Sequence, residues 1–481
     1  MIQDNPSPEQ PAAEGQDSAE QSWPSLIWDA IKGTNHSYTT GKINRAIILL
    51  AIPMILEMAM ESLFAVVDTF FVSKISAEAV ATVGLTESVI TLIYSIAIGL
   101  SMAPMAMIAR NIGENKPEEA SKVALQAIYM TVVIALMIGI PGAYYADDIL
   151  RLMGGSETLI AENVGYTRIM FASNIFIMLL FLLNGIFRGA GDASLAMRSL
   201  WLANIINIIL DPLFIFGYGP FPELGVQGAA VATTIGRGLG VVFQLYILTG
   251  AHSRVKLYFH QNKVDWDIIK RLGKIAATGA GQFLIASASW IFLVRIIAQN
   301  FGSEAMAGYT IAIRLIIFTL LPSWGLGNAA ATLVGQNLGA KQPERAAIST
   351  WRAAHFNMLY LGAVAVLYYV FAAQWVSFFS TEPAVLVAGT KALKIFAIGY
   401  VCFGYAMVLS QAFNGAGDTR TPTIVNFICF WLVEIPLGYF LALNMDWGLA
   451  GVCWAVVIAE SLMTVLIIVL FTRGKWKTVQ V

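Results

Sequence analysis

The chain has 481 residues, 57% of them hydrophobic and only 12% charged, against about 25% charged in an ordinary soluble domain. Its 29 basic residues meet 30 acidic ones, a net charge of −1, which disfavours a nucleic-acid binder. A mean hydropathy of +0.69 excludes a disordered chain and points to a polytopic membrane protein, with the lipid bilayer as its first partner.

Residues 1–42 read as a disordered or interfacial tail. The first 22 are polar, acidic and rich in Pro, Glu and Gln, unlike a signal peptide. The segment Trp23-Pro24-Ser25-Leu26-Ile27-Trp28 suits the bilayer interface. Twelve segments then approach or exceed the roughly 20 mostly apolar residues that cross a bilayer. Six lie in a first half, 43–250, near 44–72, 84–109, 123–146, 163–187, 194–217 and 226–250. A charged linker, 251–268, leads to six more in 269–472, near 269–299, 307–334, 348–373, 391–413, 421–444 and 448–472, and a short tail, 473–481. The expected fold class is an all-α polytopic membrane protein with twelve transmembrane helices in two pseudo-symmetric six-helix lobes.

Basic residues orient the spans, because cytoplasmic loops carry the excess. With the N-terminus inside, 21 of the 29 fall on the inner side, four (Lys74, Arg151, Lys391, Lys394) outside, and four (Arg168, Arg237, Arg295, Arg314) within spans. Both termini are therefore expected in the cytoplasm. Cys402, Cys429 and Cys453 sit in apolar runs and are odd in number, so they read as structural thiols. His36, His252, His260 and His355 are scattered, and no metal site is expected from them.

The halves resemble each other at an offset of 226. Asn111-Ile112-Gly113 with Pro117-Glu118 returns as Asn337-Leu338-Gly339 with Pro343-Glu344, and Gly189-Ala190-Gly191-Asp192 as Gly415-Ala416-Gly417-Asp418. After a three-residue slip, Gly225 and Gly228 match Gly448 and Gly451, and Asp211 falls on Glu434. Six spans per repeat give both halves the same direction, hence an axis along the membrane normal with a cavity between the lobes.

Ionisable side chains inside a span are costly and default to functional candidates. Glu57, Glu61 and Asp68 lie within about 40° of one another on the first span, a stripe that should face a cavity. Pro53 precedes them and is a candidate hinge. Asn207 and Asp211, four apart on the fifth span, either join the first span's acids in holding Na⁺ or a proton, or lock two helices by hydrogen bonds. The second half offers Arg295, Arg314, Glu434 and Glu460 as a possible cavity lining, Arg314 as a gate or a partner for an acid across it. Met54, Met58, Met102, Met105 and Met107 suit either an adaptable ligand wall or ordinary core.

With Val67-Asp68-Thr69, the paired Gly-Ala-Gly-Asp loops and Gly228-Ala229-Ala230-Val231-Ala232-Thr233, the chain resembles the multidrug and toxic compound extrusion (MATE) family, its DinF-like branch, over about residues 43–477. The resemblance implies twelve helices in two lobes and efflux of organic, often cationic, compounds in exchange for H⁺ or Na⁺. It implies a cation or proton site at Asp68, Asn207, Asp211 and Thr233, and bending of the first helix at Pro53. No cofactor beyond the coupling ion is implied. The acids that NorM-like members carry in the seventh and tenth helices are replaced here by the Gln282–Ser287 stretch and Tyr405. The expectation is thus a monomeric multidrug antiporter of a plasma membrane, the inner membrane in a bacterium, working by alternating access on a small organic substrate. A lipid-linked oligosaccharide flippase would need a basic cavity, and an integral-membrane transferase clustered acids or a His/Asp constellation. Neither pattern is present, and no phosphate-cradling Gly-x-x-x-x-Gly-Lys-Ser/Thr run suggests ATP-driven transport or another enzyme activity.

Overall fold

The computed structural model describes residues 22–33, 36–250, 253–257 and 263–481. Among them no strand occurs, and twelve helices are long and apolar enough to cross a membrane. In the first lobe these spans are Ile43–Val72, Glu78–Gly113, Pro117–Tyr144, Glu157–Ala190, Ala193–Phe216 and Val226–Thr249. In the second they are Trp266–Asn300, Gly302–Gly339, Pro343–Val370, Pro383–Gly415, Arg420–Asn444 and Leu449–Thr472. Several outrun their apolar runs because polar caps lie beyond them. Ser76 Oγ accepts the Ala79 N–H at 3.0 Å, and Asp265 Oδ1 accepts those of Asp267 and Ile268 at 3.0 and 3.1 Å, satisfying donors a helix start leaves open. The seventh span therefore absorbs the end of the expected linker.

Part of the expected tail is helical. Trp23–Lys32 is a helix that buries Leu26 and Ala30 and exposes Trp23, Ile27 and Trp28. Residues 1–21, His252 and His260 lie outside the described residues.

The repeat is written into the backbone. Asn115 and Lys341, 226 apart, take the same left-handed conformation at φ 56° and 57°. Gly191 and Gly417 do so at 86° and 87°, and Asp192 N–H and Asp418 N–H close the turn on Phe187 O and Phe413 O. Gly225 and Gly448, after the slip, open the last helix of each lobe at φ 56° and 58°, a region where only glycine is unstrained. The slip lies between the Gly-Ala-Gly-Asp loop and the last helix, as the sequence suggests, but beyond the fifth span and not before Asp211. Gly225 N–H bonds Ile215 O and Gly448 N–H bonds Ala442 O, so the last turns of the fifth and eleventh spans correspond at an offset of 227, and the connection that follows is shorter in the second lobe. Wide π-helical turns over Phe427–Glu434 and Phe440–Asn444 absorb the extra residue. Glu434 thus stands where the first lobe has Asn207, and Gly438 where it has Asp211.

Each lobe has its own core, around Ile90, Leu180 and Phe187 in one and Tyr309, Phe396 and Tyr400 in the other. The lobes meet along the second and eighth spans. A Cβ on Gly113 would lie 2.0 Å from Gln336 O, and one on Gly339 would lie 2.1 Å from Arg110 O and 3.0 Å from Gly113 Cα. Gly113 and its counterpart Gly339 face each other, so the axis relating the lobes passes between them. Gly99 meets Ala280 and Gly325 meets Met54, a symmetric pair of contacts. This seam lies at the end of the molecule that gathers the C-terminal residues and the segment leading into the first span. There Arg110 Nη2 donates to Val479 O at 2.7 Å and Arg345 Nη2 to Thr40 O at 2.8 Å. Tyr38 donates to Gly191 O at 3.1 Å; burial pushes its phenol up to about 12, against the pull of Arg254, so it remains a donor at physiological pH.

Candidate functional site

The first span packs on the fifth, and the fifth on the sixth, which brings the first-lobe residues expected from the sequence into one region. Asp68 is 7% exposed, Asn207 2%, Asp211 0% and Thr233 7%. Asn207 Nδ2 donates to Thr233 Oγ1 at 2.9 Å. Asp68 and Asp211 lie within electrostatic reach of each other. Among the described residues, Asp68 Oδ1, Asn207 Oδ1 and both carboxylate oxygens of Asp211 are buried and receive no hydrogen bond. Four buried acceptors without donors are costly unless a cation or protons satisfy them. Oxygen-only donors of this kind suit Na⁺, a hard cation, or protons equally.

The acidic stripe divides. Glu57, expected to face the cavity with Asp68, is fully buried, ion-paired with Arg188 and accepting Asn184 Nδ2 at 3.0 Å. Gln244 Nε2 in turn donates to Asn184 Oδ1 at 2.6 Å. A buried carboxylate requires such partners, and these come from the fourth and sixth spans. The sequence count of basic residues had put Arg188 in a cytoplasmic loop, because it follows the expected end of its span by one position. Glu61 is instead a quarter exposed. It accepts Asn204 Nδ2 at 3.2 Å and meets Arg237 Nη2 at 3.5 Å. Arg237 is held between the rings of Phe64 and Tyr94, 5.5 and 5.6 Å away, a cation–π arrangement. Glu87 on the second span, which the sequence reading passed over, lies within electrostatic reach of both Asp68 and Arg237. Its signal was present, an acid inside an apolar run, but close to the expected start of the span.

Pro53 lies inside the unbroken first helix, where it withholds a hydrogen bond from the carbonyl one turn back. The residues just after it, Met54 and Ile55, are those that meet Gly325 of the other lobe. The weak point of the first helix is therefore also a point of contact between lobes.

The four second-lobe residues do not converge. Glu434 is 1% exposed, and Glu460 lines a half-open cavity bounded by the seventh, eighth, tenth, eleventh and twelfth spans. Arg295 and Arg314 are exposed. Arg295 borders an outer groove between the seventh and eleventh spans. Arg314 lies three turns from Gly325 on the same helix, with Pro322 between them, and it pairs with no acid among the described residues. No group of His, Cys, Asp and Glu among them could hold a transition metal.

Comparison with known proteins gives a consistent picture. The MatE family model matches residues 53–213 and 281–440, once in each lobe and over well more than half of the chain. The "Probable multidrug resistance protein YoeA" of Bacillus subtilis (strain 168) is 27% identical over 448 residues, covering 91% of this chain and 95% of its own. The "Probable multidrug resistance protein NorM" of Thermotoga maritima is 25% identical over 440 residues, covering 91% and 94%. A solved structure described as "Outward-facing conformation of a multidrug resistance MATE family transporter of the MOP superfamily" superposes with a TM-score of 0.84 at 26% identity, covering 91% of this chain and 96% of that one.

Proposed function

This chain belongs to the MatE family, a family of membrane transporters and not of enzymes, and within it we propose that the protein is a cation-coupled antiporter that exports small organic compounds. The observation that carries the reading is the set of unsatisfied buried oxygens on Asp68, Asn207 and Asp211. H⁺ or Na⁺ occupying them supplies the missing positive charge. Binding there acts on the helix that holds both Asp68 and Pro53, and the segment after Pro53 touches the opposite lobe. An occupant with different affinity for the two shapes of that helix shifts the balance between cleft-open and cleft-closed states, which is what exchange requires.

The basic loops support a cytoplasmic placement of both chain ends. On that placement the seam at Gly113 and Gly339 closes the cytoplasmic side, and the cleft between the lobes opens outward. The single seam around a symmetry axis supports alternating access by rocking of the lobes. The flippase and transferase alternatives are not favoured: the first-lobe pocket is acidic and the relatives are named for multidrug resistance.

The test is efflux of an organic cation such as ethidium from proteoliposomes under an imposed pH gradient or an imposed Na⁺ gradient, one at a time. One gradient should drive export, and Asp68→Asn should abolish it with folding near normal. Export driven equally by Asp68→Asn protein removes this site from the mechanism.

A further inference from the structure

The half-open cavity of the second lobe, about 180 Å³, has a lining that the coupling reading does not use. Phe283, Trp290, Trp324 and Phe430 contribute rings to its wall, with Phe283 and Trp324 stacked at 5.1 Å. Between them the wall presents oxygen. Gln282 Oε1, Ser410 Oγ and Asn426 Oδ1 belong to residues 7%, 5% and 5% exposed, and none has a hydrogen-bond partner among the described residues. Asn426 Nδ2 is directed at Gln282 O, 3.5 Å away, which turns its carbonyl the other way. Glu460 adds a carboxylate, and no Lys or Arg lines the cavity. Glu434, close enough to Glu460 to interact electrostatically, leaves its Oε1 without a donor as well.

The repeat sharpens this. The sixth and twelfth spans correspond end to end at an offset of 223, so Glu460 occupies the position of Arg237. The first lobe thus carries its own cation among its acids, and at the same place the second lobe carries an acid. By the same logic Glu57, paired with Arg188, becomes Phe283 of the aromatic wall. Rings, unpaired buried acceptors and a carboxylate with no built-in cation together describe a receptor for positive charge on an organic frame. The wide turns that hold Phe430 and Glu434 are of a kind frequent at functional sites.

We propose that this second-lobe cavity binds the organic substrate as an aryl-alkylammonium cation, its ring against Phe283 and Trp324 and its N–H donors toward Glu460, Gln282 and Asn426. The proposal rests on the exporter reading, and it separates the labour of the lobes: coupling ion in the first, organic cation in the second.

Equilibrium binding of radiolabelled 2-phenylethylammonium to the full chain in lipid nanodiscs tests it, with 2-phenylethanol as a neutral competitor of similar size. The wild type should bind the ammonium and resist competition by the alcohol. Glu460→Gln should weaken binding at least tenfold and Trp324→Ala should also weaken it, while Glu460→Asp restores part of the loss, which a misfolded protein would not do. Asp147→Asn, an exposed acid paired with Arg168 and part of neither site, should bind as the wild type does. Absence of binding to the wild type, equal competition by the alcohol, a Glu460→Gln affinity within twofold of wild type, or an equal loss in Asp147→Asn would each overturn the proposal. Gradient-driven export is read separately. If Asp68→Asn exports normally while the binding pattern holds, the coupling reading fails and the second-lobe site stands.

Discussion

Removing either partner of the Glu57–Arg188 pair should destabilise the protein far more than removing both. Glu57 is 0% exposed and the Arg188 side chain 9%, so water screens the pair little. With Arg188→Met, the carboxylate keeps only Asn184 as a donor, and an uncompensated buried charge costs about 3–5 kcal/mol. Glu57→Gln leaves the guanidinium in the same position. At about 1.4 kcal/mol per decade, each single change should shift the folding equilibrium by roughly 100- to 4,000-fold. The double variant Glu57→Gln/Arg188→Met loses the charges together and should recover most of that, since apolar replacement of a whole buried pair is often close to neutral. The contact that Thr332 Oγ1 makes with the Arg188 backbone carbonyl, 3.1 Å, survives every variant and does not confuse the cycle. Denaturant unfolding in mild detergent, followed by tryptophan fluorescence, gives the four stabilities. Losses that simply add, or a Glu57→Gln protein as stable as wild type but unable to couple, would return Glu57 to the transport stripe.

Three further outcomes follow from the geometry. Gly113→Val should hold the lobes apart, because its first side-chain carbon alone would lie 2.0 Å from Gln336 O; spin labels across the seam should report the separation, and an unchanged distance would place the closure elsewhere. Pro53→Ala restores a backbone N–H to the first helix and should lower the transport rate by more than it lowers ion affinity, measured on the same protein; equal losses would mean that Pro53 acts only on the site. Asp211→Asn should cost at least tenfold in gradient-driven efflux and Glu434→Gln less, since only Asp211 shares its region with Asp68; reversed losses would move the coupling ion to the second lobe.

The fold was largely legible because its signals are carried by composition and by local chain geometry. Twelve apolar runs declare twelve helices, and Gly191, Gly225 and their counterparts mark turns that other residues enter only with strain. The position of the slip was not legible. Nothing local says on which side of Asp211 the shorter connection falls, and a π-helical turn adds one more residue without breaking the hydrophobic run, so the pairing of Asp211 with Glu434 came out one turn wrong. The helix Trp23–Lys32 was half visible: its tryptophans suited an interface, but a stretch that short is stable only through packing, and packing is not written in ten residues.

The candidate site shows the same division more sharply. Asp68 and the Asn207–Asp211 pair were readable as polar groups at helical spacing inside apolar spans, while Thr233 and the grouping of the four followed only from the family resemblance. Glu57 met the same criterion and was misplaced, since an intramembrane acid facing a cavity and one sealed against an arginine look alike until the partner is known, here 131 residues away. What the halves share, glycines at close approaches and left-handed turns, is what the backbone demands of both lobes. What they do not share, Arg237 against Glu460 and Glu57 against Phe283, is set by chemistry particular to each. An internal repeat therefore divides a sequence into its scaffold and its function: positions that agree across the offset hold the lobes together, and charged positions that disagree show where each lobe does something of its own.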